Sequence, residues 1–202
     1  MKYFRRVILL LCSFVVATNC VAAPAPCASA NIFDVYDRLL PVRAAHHGPD
    51  VETVTLRYIP GDTSQRVEIK VIIREHADGK IAVEAWRPAA TSIQQQLRDL
   101  RAAHPTTECD DAFVDQIKVE HYDLADPRIA RLYRDFKKLR VPVAVDSDIY
   151  LDTARFEVLT EAPMNSTSFI LYGPGLSDRH PHALITWAAA VVEAASRARP
   201  RR

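Results

Sequence analysis

The chain has 202 residues, with 26 lysines and arginines against 25 aspartates and glutamates, so its formal net charge is +1. A chain of this length can build one hydrophobic core but is short for two domains. Its near-neutral charge argues against nucleic acid or another polyanion as the main partner.

The first 22 residues have the pattern of a secretory signal peptide. A short basic segment carries Lys2, Arg5 and Arg6, and an apolar segment follows at positions 7–16. A membrane-spanning helix needs about 20 apolar residues, so this segment is too short to cross a bilayer. We therefore expect residues 1–22 to be removed on export, leaving a periplasmic or extracellular protein without stable membrane insertion.

Residues 23–202 are then expected to form the mature domain. Cleavage after Ala22 is favoured over cleavage after Ala23, because the second cut would place Pro24 at the first mature position. The signal peptide carries three basic and no acidic residues, so its removal changes the formal net charge from +1 to −2.

Two of the four cysteines, Cys27 and Cys109, remain after this cleavage. Two thiols in an oxidising compartment indicate one disulfide, which would join the mature N-terminus to the middle of the chain. The chain contains no CxxC pair, so the cysteines do not indicate a metal site.

Hydrophobic periodicity predicts the elements of the first half of the chain. Apolar residues from Ile32 to Leu40 recur at helical spacing, and Pro41 ends this helix. Runs of alternating or β-branched residues predict three strands, from Glu52 to Ile59, from Gln65 to Glu75 and from Lys80 to Trp86. Gly79 lies in the hairpin turn between the last two strands, so the three strands are predicted to form an antiparallel meander.

The second half alternates between helices and strands. Thr91 to Gln94 has the spacing of a capping box, and Asp126 followed by Pro127 is a strong helix start. The predicted helices are from Thr91 to Ala103, from Asp126 to Leu139 and from His182 to Ser196, with one helical turn between Glu108 and Asp115. The predicted strands are from Gln116 to Tyr122, from Asp148 to Leu159 and from Ser168 to Tyr172, with Glu161 to Thr167 as a connection.

This order of elements predicts the α+β class. Strands come in consecutive antiparallel groups separated by helices, and no internal repeat or linker divides the chain. We expect a single domain with a mostly antiparallel sheet of about six strands and helices packed mainly on one face.

Trp86 and Arg87 are the candidate binding residues. They end a predicted strand immediately before Pro88, which places them at the rim of the sheet. Tryptophan and arginine are enriched among the residues that dominate protein interfaces. We therefore interpret this pair as a possible contact surface for another protein.

A histidine-rich set supplies the alternative interpretation. Adjacent His46 and His47 lie in a loop, and Asp178, His180 and His182 form the densest polar cluster of the chain. If these groups met in one cleft, they could bind a metal ion or perform acid–base chemistry. Their spacing matches no established metal-binding motif, and the second cluster also fits the start of a helix.

No short catalytic signature accompanies these candidates. The chain lacks a GxSxG nucleophile motif and a glycine-rich phosphate loop, and it contains five glycines in all. The sequence therefore favours an exported, non-catalytic protein-binding domain without a cofactor or metal, such as an inhibitor, an immunity-type protein or an assembly protein. An envelope hydrolase or metal-dependent enzyme that uses His46 or His47 with His180 and His182 remains the alternative.

Overall fold

Helices and strands follow one another in the order that the sequence predicts. We describe the protein from a computed structural model, for residues 32–43, 51–61, 66–105, 110–140, 154–162, 165–173 and 183–198. The helices are α1 (Ile32–Leu39), α2 (Ile93–Ala103), α3 (Pro127–Phe136) and α4 (Ala183–Arg197), with a 3-10 helix at Asp110–Gln116. The strands are β1 (Glu52–Ile59), β2 (Ile69–Glu75), β3 (Ile81–Pro88), β4 (Val119–Asp123), β5 (Ala154–Ala162) and β6 (Asn165–Gly173).

The six strands form one open sheet in the order β4-β3-β2-β1-β5-β6. Every neighbouring pair is antiparallel, which confirms the predicted α+β class and the β1–β2–β3 meander. Gly79 has a φ of 77° in the β2–β3 turn, a conformation that glycine adopts without the steric cost that other residues meet. The outer strands β4 and β6 are the two edges of the sheet.

Helices α3 and α4 pack on one side of the sheet, which we call the core face. Leu56, Val71 and Val158 point to this side and are fully buried. The indole nitrogen of Trp187 on α4 donates a hydrogen bond of 2.8 Å to the carbonyl oxygen of Leu132 on α3. This bond and the apolar contacts hold the two helices together over the sheet.

The opposite side, which we call the mixed face, is covered at one end by α1, α2 and the 3-10 helix. A second apolar cluster lies there, including Val35, Leu97 and Phe113 together with Ile59 of β1. The prediction that helices pack mainly on one face therefore holds for α3 and α4. Helices α1 and α2 lie on the opposite side of the sheet. Consistent with cover on both sides, β1 and β2 are buried along most of their length, including polar side chains of the mixed face such as Thr55 and Arg57.

Side-chain caps define where two helices begin. Ser92 accepts a hydrogen bond of 3.1 Å from the backbone nitrogen of Gln95, one residue after the start that the capping-box spacing suggests. The buried carboxylate of Glu68 also accepts from the backbone nitrogen of Ile93, at 2.9 Å. Asp126 caps α3 as predicted, through a bond of 2.8 Å from the nitrogen of Arg128.

The last hairpin differs from the prediction. Residues 161–167 were expected to connect two strands, but β5 continues to Ala162 and β6 begins at Asn165. The two strands pair along nine residues, from Ala154 opposite Gly173 to Ala162 opposite Asn165. The polar run that begins β6 resembles a loop in sequence because an exposed edge strand does not need alternating apolar residues.

Candidate functional site

A row of side chains crosses all six strands on the mixed face. Each member lies directly opposite the next in the strand register, and we call these residues the central row: His121, Trp86, Lys70, Arg57, Glu157 and Ile170. Side chains that face each other in register point to the same side of the sheet. The row therefore places three ionisable groups beside one another on the inner strands.

Arg57 is the buried centre of this row, with 3% of its surface exposed. Its Nε donates to Glu157 Oε2 at 2.8 Å, and a second guanidinium nitrogen bonds the same oxygen. Its remaining nitrogen lies 3.1 Å from the carbonyl oxygen of Leu40 and 2.6 Å from Asp37 Oδ1. Because each nitrogen has an acceptor, the buried charge is compensated, and the network ties the end of α1 to the sheet.

Glu157 neutralises a second arginine. Arg155 Nε lies 2.6 Å from Glu157 Oε1, while Arg57 occupies Oε2. The side chain of Glu157 is almost fully buried. One carboxylate between two guanidinium groups links β1 to β5, and each of its oxygens lies against an arginine inside the fold.

Lys70 differs from Arg57 beside it in the row. Within the described part of the chain, no acidic side chain forms an ion pair with Lys70. Its Nζ lies 3.9 Å from the centroid of the Trp86 ring, and the residue is 5% exposed. Burial, followed by the positive charges of Arg57 and Arg74, lowers the pKa of Lys70 from 10.5 to about 8. A lysine with this pKa has a substantial fraction of neutral, nucleophilic amine near pH 8. The amine is buried, so a large reactant cannot reach it.

The β4 end of the mixed face carries a compact polar cluster of Glu84, His121 and Asp123. The three can bring a nitrogen and two carboxylate oxygens within 4.8 Å of one another. His121 Nε2 lies 3.2 Å from Glu84 Oε2, and the Arg74 guanidinium binds the other Glu84 oxygen. The His121 ring stacks on Trp86, with ring centroids 4.5 Å apart and planes inclined by 21°.

The opposite edge, β6, has a different character. Its nine residues contain no charged residue and no proline, and among the described residues no strand lies beside its outer edge. The polar residues at positions 165–168 are exposed, and Ile170 is 51% exposed at the end of the central row. Within the described part of the chain, Ile170 is the one large apolar side chain that stands out as exposed.

A third polar cluster lies on the core face, where α3 meets the ends of β1 and β2. Lys137 Nζ lies 2.7 Å from Glu75 Oε2 and 2.9 Å from Glu52 Oε2. The Tyr133 hydroxyl donates to Glu75 Oε2 at 3.0 Å. The bond from Lys137 holds the pKa of Glu75 below its usual range, whereas burial raises the pKa of Tyr133. These contacts are internal to the fold and fasten α3 to the sheet.

The structure places Trp86 and Arg87 on opposite faces of the sheet. Trp86 lies between Lys70 and His121 on the mixed face. The Arg87 guanidinium lies 4.7 Å from the centroid of the Tyr122 ring on the core face. Their role in binding stays a prediction, but one flat partner surface cannot contact both side chains.

The other candidates from the sequence lie outside the described residues: Cys27, His46, His47, Cys109, Asp178, His180 and His182. The disulfide and the histidine-based alternative therefore stay predictions.

Sequence reasoning missed the central row and the polar cluster at β4. His121 and Asp123 are two residues apart in a strand, a spacing that places both on one face. That signal was available in the sequence. The register that brings Glu84 beside them was not, because it depends on the pairing of β3 with β4.

Comparison with known proteins identifies no relative. A scan against models of protein families, a search of the curated proteins and a search of the solved structures each found no match. No helix in the described part of the chain is long and apolar enough to cross a membrane.

Proposed function

We propose that this protein is an exported, non-catalytic binding domain that captures an extended segment of another protein along the outer edge of β6. The observation that carries the proposal is the length and chemistry of this edge. Its nine residues include no charged residue and no proline, and one of them, Ile170, is half-exposed.

Exposed strand edges are normally protected, because their free backbone groups pair readily with other strands. Charged side chains, prolines, bulges and short length are the usual devices. The β4 edge uses two of them, since it has five residues and carries Glu120 and Asp123. The β6 edge uses none of these in its sequence, which favours a role in strand addition, where backbone hydrogen bonds supply affinity.

The side chains of β6 suggest the kind of segment that would fit. Its first half carries exposed hydroxyl and amide groups, from Asn165 to Ser168. Its second half carries Phe169, Ile170, Leu171 and Tyr172. A partner strand with polar residues at one end and alternating apolar residues at the other would match both halves, with Ile170 as an anchor.

Export belongs to the same proposal. The basic and apolar segments of residues 1–22 support cleavage and a periplasmic or extracellular location. A disulfide between Cys27 and Cys109 would suit that compartment. Sequencing the N-terminus of the exported protein tests the first point, with Ala23 as the expected first residue. Thiol titration before and after reduction tests the second.

The binding test uses the mature protein as bait in extract from the native envelope. We expect one stoichiometric partner with the parent protein, and at least a tenfold loss with Ile170→Lys, because the added strand would have to desolvate the new charge. Gln116→Lys adds the same charge at an exposed position on the 3-10 helix and should retain the partner.

A photo-reactive residue at position 168 provides an independent readout. We expect it to cross-link to one short segment of the partner, and mass spectrometry identifies that segment. A partner that binds Ile170→Lys as tightly as the parent protein would overturn the assignment to β6. So would a cross-link spread over many unrelated proteins.

A further inference from the structure

The polar cluster at the β4 end of the mixed face has a donor set that metal ions use. It combines one imidazole, from His121, with two carboxylates, from Glu84 and Asp123. Glu84 and Asp123 are direct partners in the β3–β4 register, and His121 lies two residues before Asp123 on the same strand. Because the paired strands already hold all three side chains on one face, little conformational entropy of the backbone is lost when the three bind one ion.

Neighbouring side chains orient two of the donors. The Trp86 indole stacks on the His121 ring, and Lys70 lies over the same indole at 3.9 Å. The Arg74 guanidinium binds one oxygen of Glu84, which leaves Oε2 directed at His121. Residues that hold the ligands in place from behind are a regular part of metal sites.

The spacing of the donors fits a small divalent ion. Around an ion about 2.1 Å from each ligand, adjacent ligands are about 3.4 Å apart in a tetrahedron and about 3.0 Å apart in an octahedron. The distance from His121 Nε2 to Glu84 Oε2 is 3.2 Å. All three donor atoms lie within 4.8 Å of one another, so a movement of at most about 2 Å by the exposed Asp123 side chain would close the set.

We propose that Glu84, His121 and Asp123 bind one divalent transition-metal ion of the zinc type, with water in the remaining positions. A set of one nitrogen and two oxygens suits Zn²⁺, Co²⁺ or Ni²⁺, whereas Ca²⁺ and Mg²⁺ prefer oxygen ligands alone. With neutral imidazole, the two carboxylates and the Arg74 guanidinium sum to a net charge of −1, and the Trp86 ring separates the Lys70 ammonium from the donors. The His121 side chain is 49% exposed, so the ion can reach the site from solvent.

Trp86 provides a readout that belongs to this site. The chain has two tryptophans, and Trp187 lies on α4 across the sheet, so Trp187→Phe leaves Trp86 as the single reporter. Bound Co²⁺ quenches an indole that it closely approaches. We expect Co²⁺ to quench Trp86 with one-site saturation, and Zn²⁺, which does not quench, to reverse this by competition. Mg²⁺ at the same concentration should have no effect.

The site variants decide the assignment. We expect His121→Ala and Asp123→Asn each to weaken Co²⁺ binding at least tenfold by Trp86 fluorescence. His76→Ala changes an exposed histidine outside the cluster and should bind as the parent does. Asp123→Asn keeps the shape of the side chain, so it remains informative if His121→Ala disturbs β4. An unquenched Trp86, or quenching that persists unchanged in Asp123→Asn, would overturn the proposal.

This inference is independent of the proposed binding at β6, because the two sites lie on opposite edges of the sheet. Ile170→Lys should leave Co²⁺ binding unchanged, and Asp123→Asn should leave partner capture unchanged.

Discussion

Replacing Lys70 with methionine tests the electrostatics of the central row directly. Methionine retains an unbranched, flexible side chain over the Trp86 ring but carries no charge. The lysine amine is buried and has no acidic partner among the described residues, so its positive charge is a net cost to the folded protein. We therefore expect Lys70→Met to be more stable than the parent at neutral pH.

The size of the effect follows from the pKa. Burial and two neighbouring arginines lower the pKa of Lys70 from 10.5 to about 8. Each pKa unit corresponds to about 1.4 kcal/mol, so keeping this amine protonated costs the folded state about 3 kcal/mol. Losing the contact with the Trp86 ring costs about 0.5–2 kcal/mol. Together these terms predict a gain of about 1–3 kcal/mol in the free energy of unfolding at pH 7.

The difference in stability between Lys70→Met and the parent should also depend on pH. Below pH 8 the amine is protonated in both states, and the full cost is present. Between pH 8 and 10.5 the folded protein releases this proton while the unfolded chain keeps it, so the stability of the parent rises relative to the variant. The difference between the two proteins should therefore shrink as the pH increases through this range.

Urea unfolding of both proteins at pH 7, 8, 9 and 10 measures this difference, and other groups that titrate in the range cancel in the comparison. Lys80→Met is the matched control, since the Lys80 side chain is 82% exposed and its replacement should change stability by less than about 0.5 kcal/mol. A Lys70→Met variant that is less stable than the parent at pH 7, with a difference that does not vary with pH, would refute this electrostatic cost of Lys70.

Two further predictions concern ionic contacts within the fold, those of Glu157 and Glu75. Glu157→Gln leaves the buried Arg57 and the partly buried Arg155 short of charge compensation and should lower the free energy of unfolding by about 3 kcal/mol. The double variant Arg57→Met/Glu157→Leu removes the buried pair but still leaves Arg155 without its carboxylate, so it should recover only part of that loss. Chemical unfolding of all three proteins checks both statements. Glu75→Gln should cost about 1 kcal/mol at pH 7, because it weakens the contacts with Lys137 and Tyr133. Since the folded pKa of Glu75 is lower than its usual value of 4.5, this contribution is complete above that pH and disappears as the pH falls through the folded pKa. A deficit that does not shrink as the pH is lowered below 4.5 would contradict the ionic explanation.

The match between sequence and structure is closest where one face of an element is buried. β1 begins and ends where the alternation of Val54, Leu56 and Tyr58 predicts, and α3 begins after the predicted cap at Asp126. Local signals suffice there because burial and capping each depend on residues a few positions apart.

The prediction was wrong where hydrogen bonding rather than burial defines the strand. Asn165 to Ser168 lack the apolar alternation of a strand, yet they pair with β5 at the edge of the sheet. The candidate sites depend on pairing between distant segments in the same way. Glu84 and Asp123 are 39 positions apart, and Arg57 and Glu157 are 100 positions apart, as their register pairs show.

The sequence by itself determined the order of the elements, the α+β class and the Asp126 cap of α3, and export stays a prediction from it. Those features depend on periodicity, turn residues and short-range hydrogen bonds. Only the tertiary structure decided that β4 pairs with β3 and that β6 is the last strand of the sheet among the described residues. It also decided that lysine, arginine and glutamate meet in one buried row, because strand order and register result from packing the whole sheet against its helices.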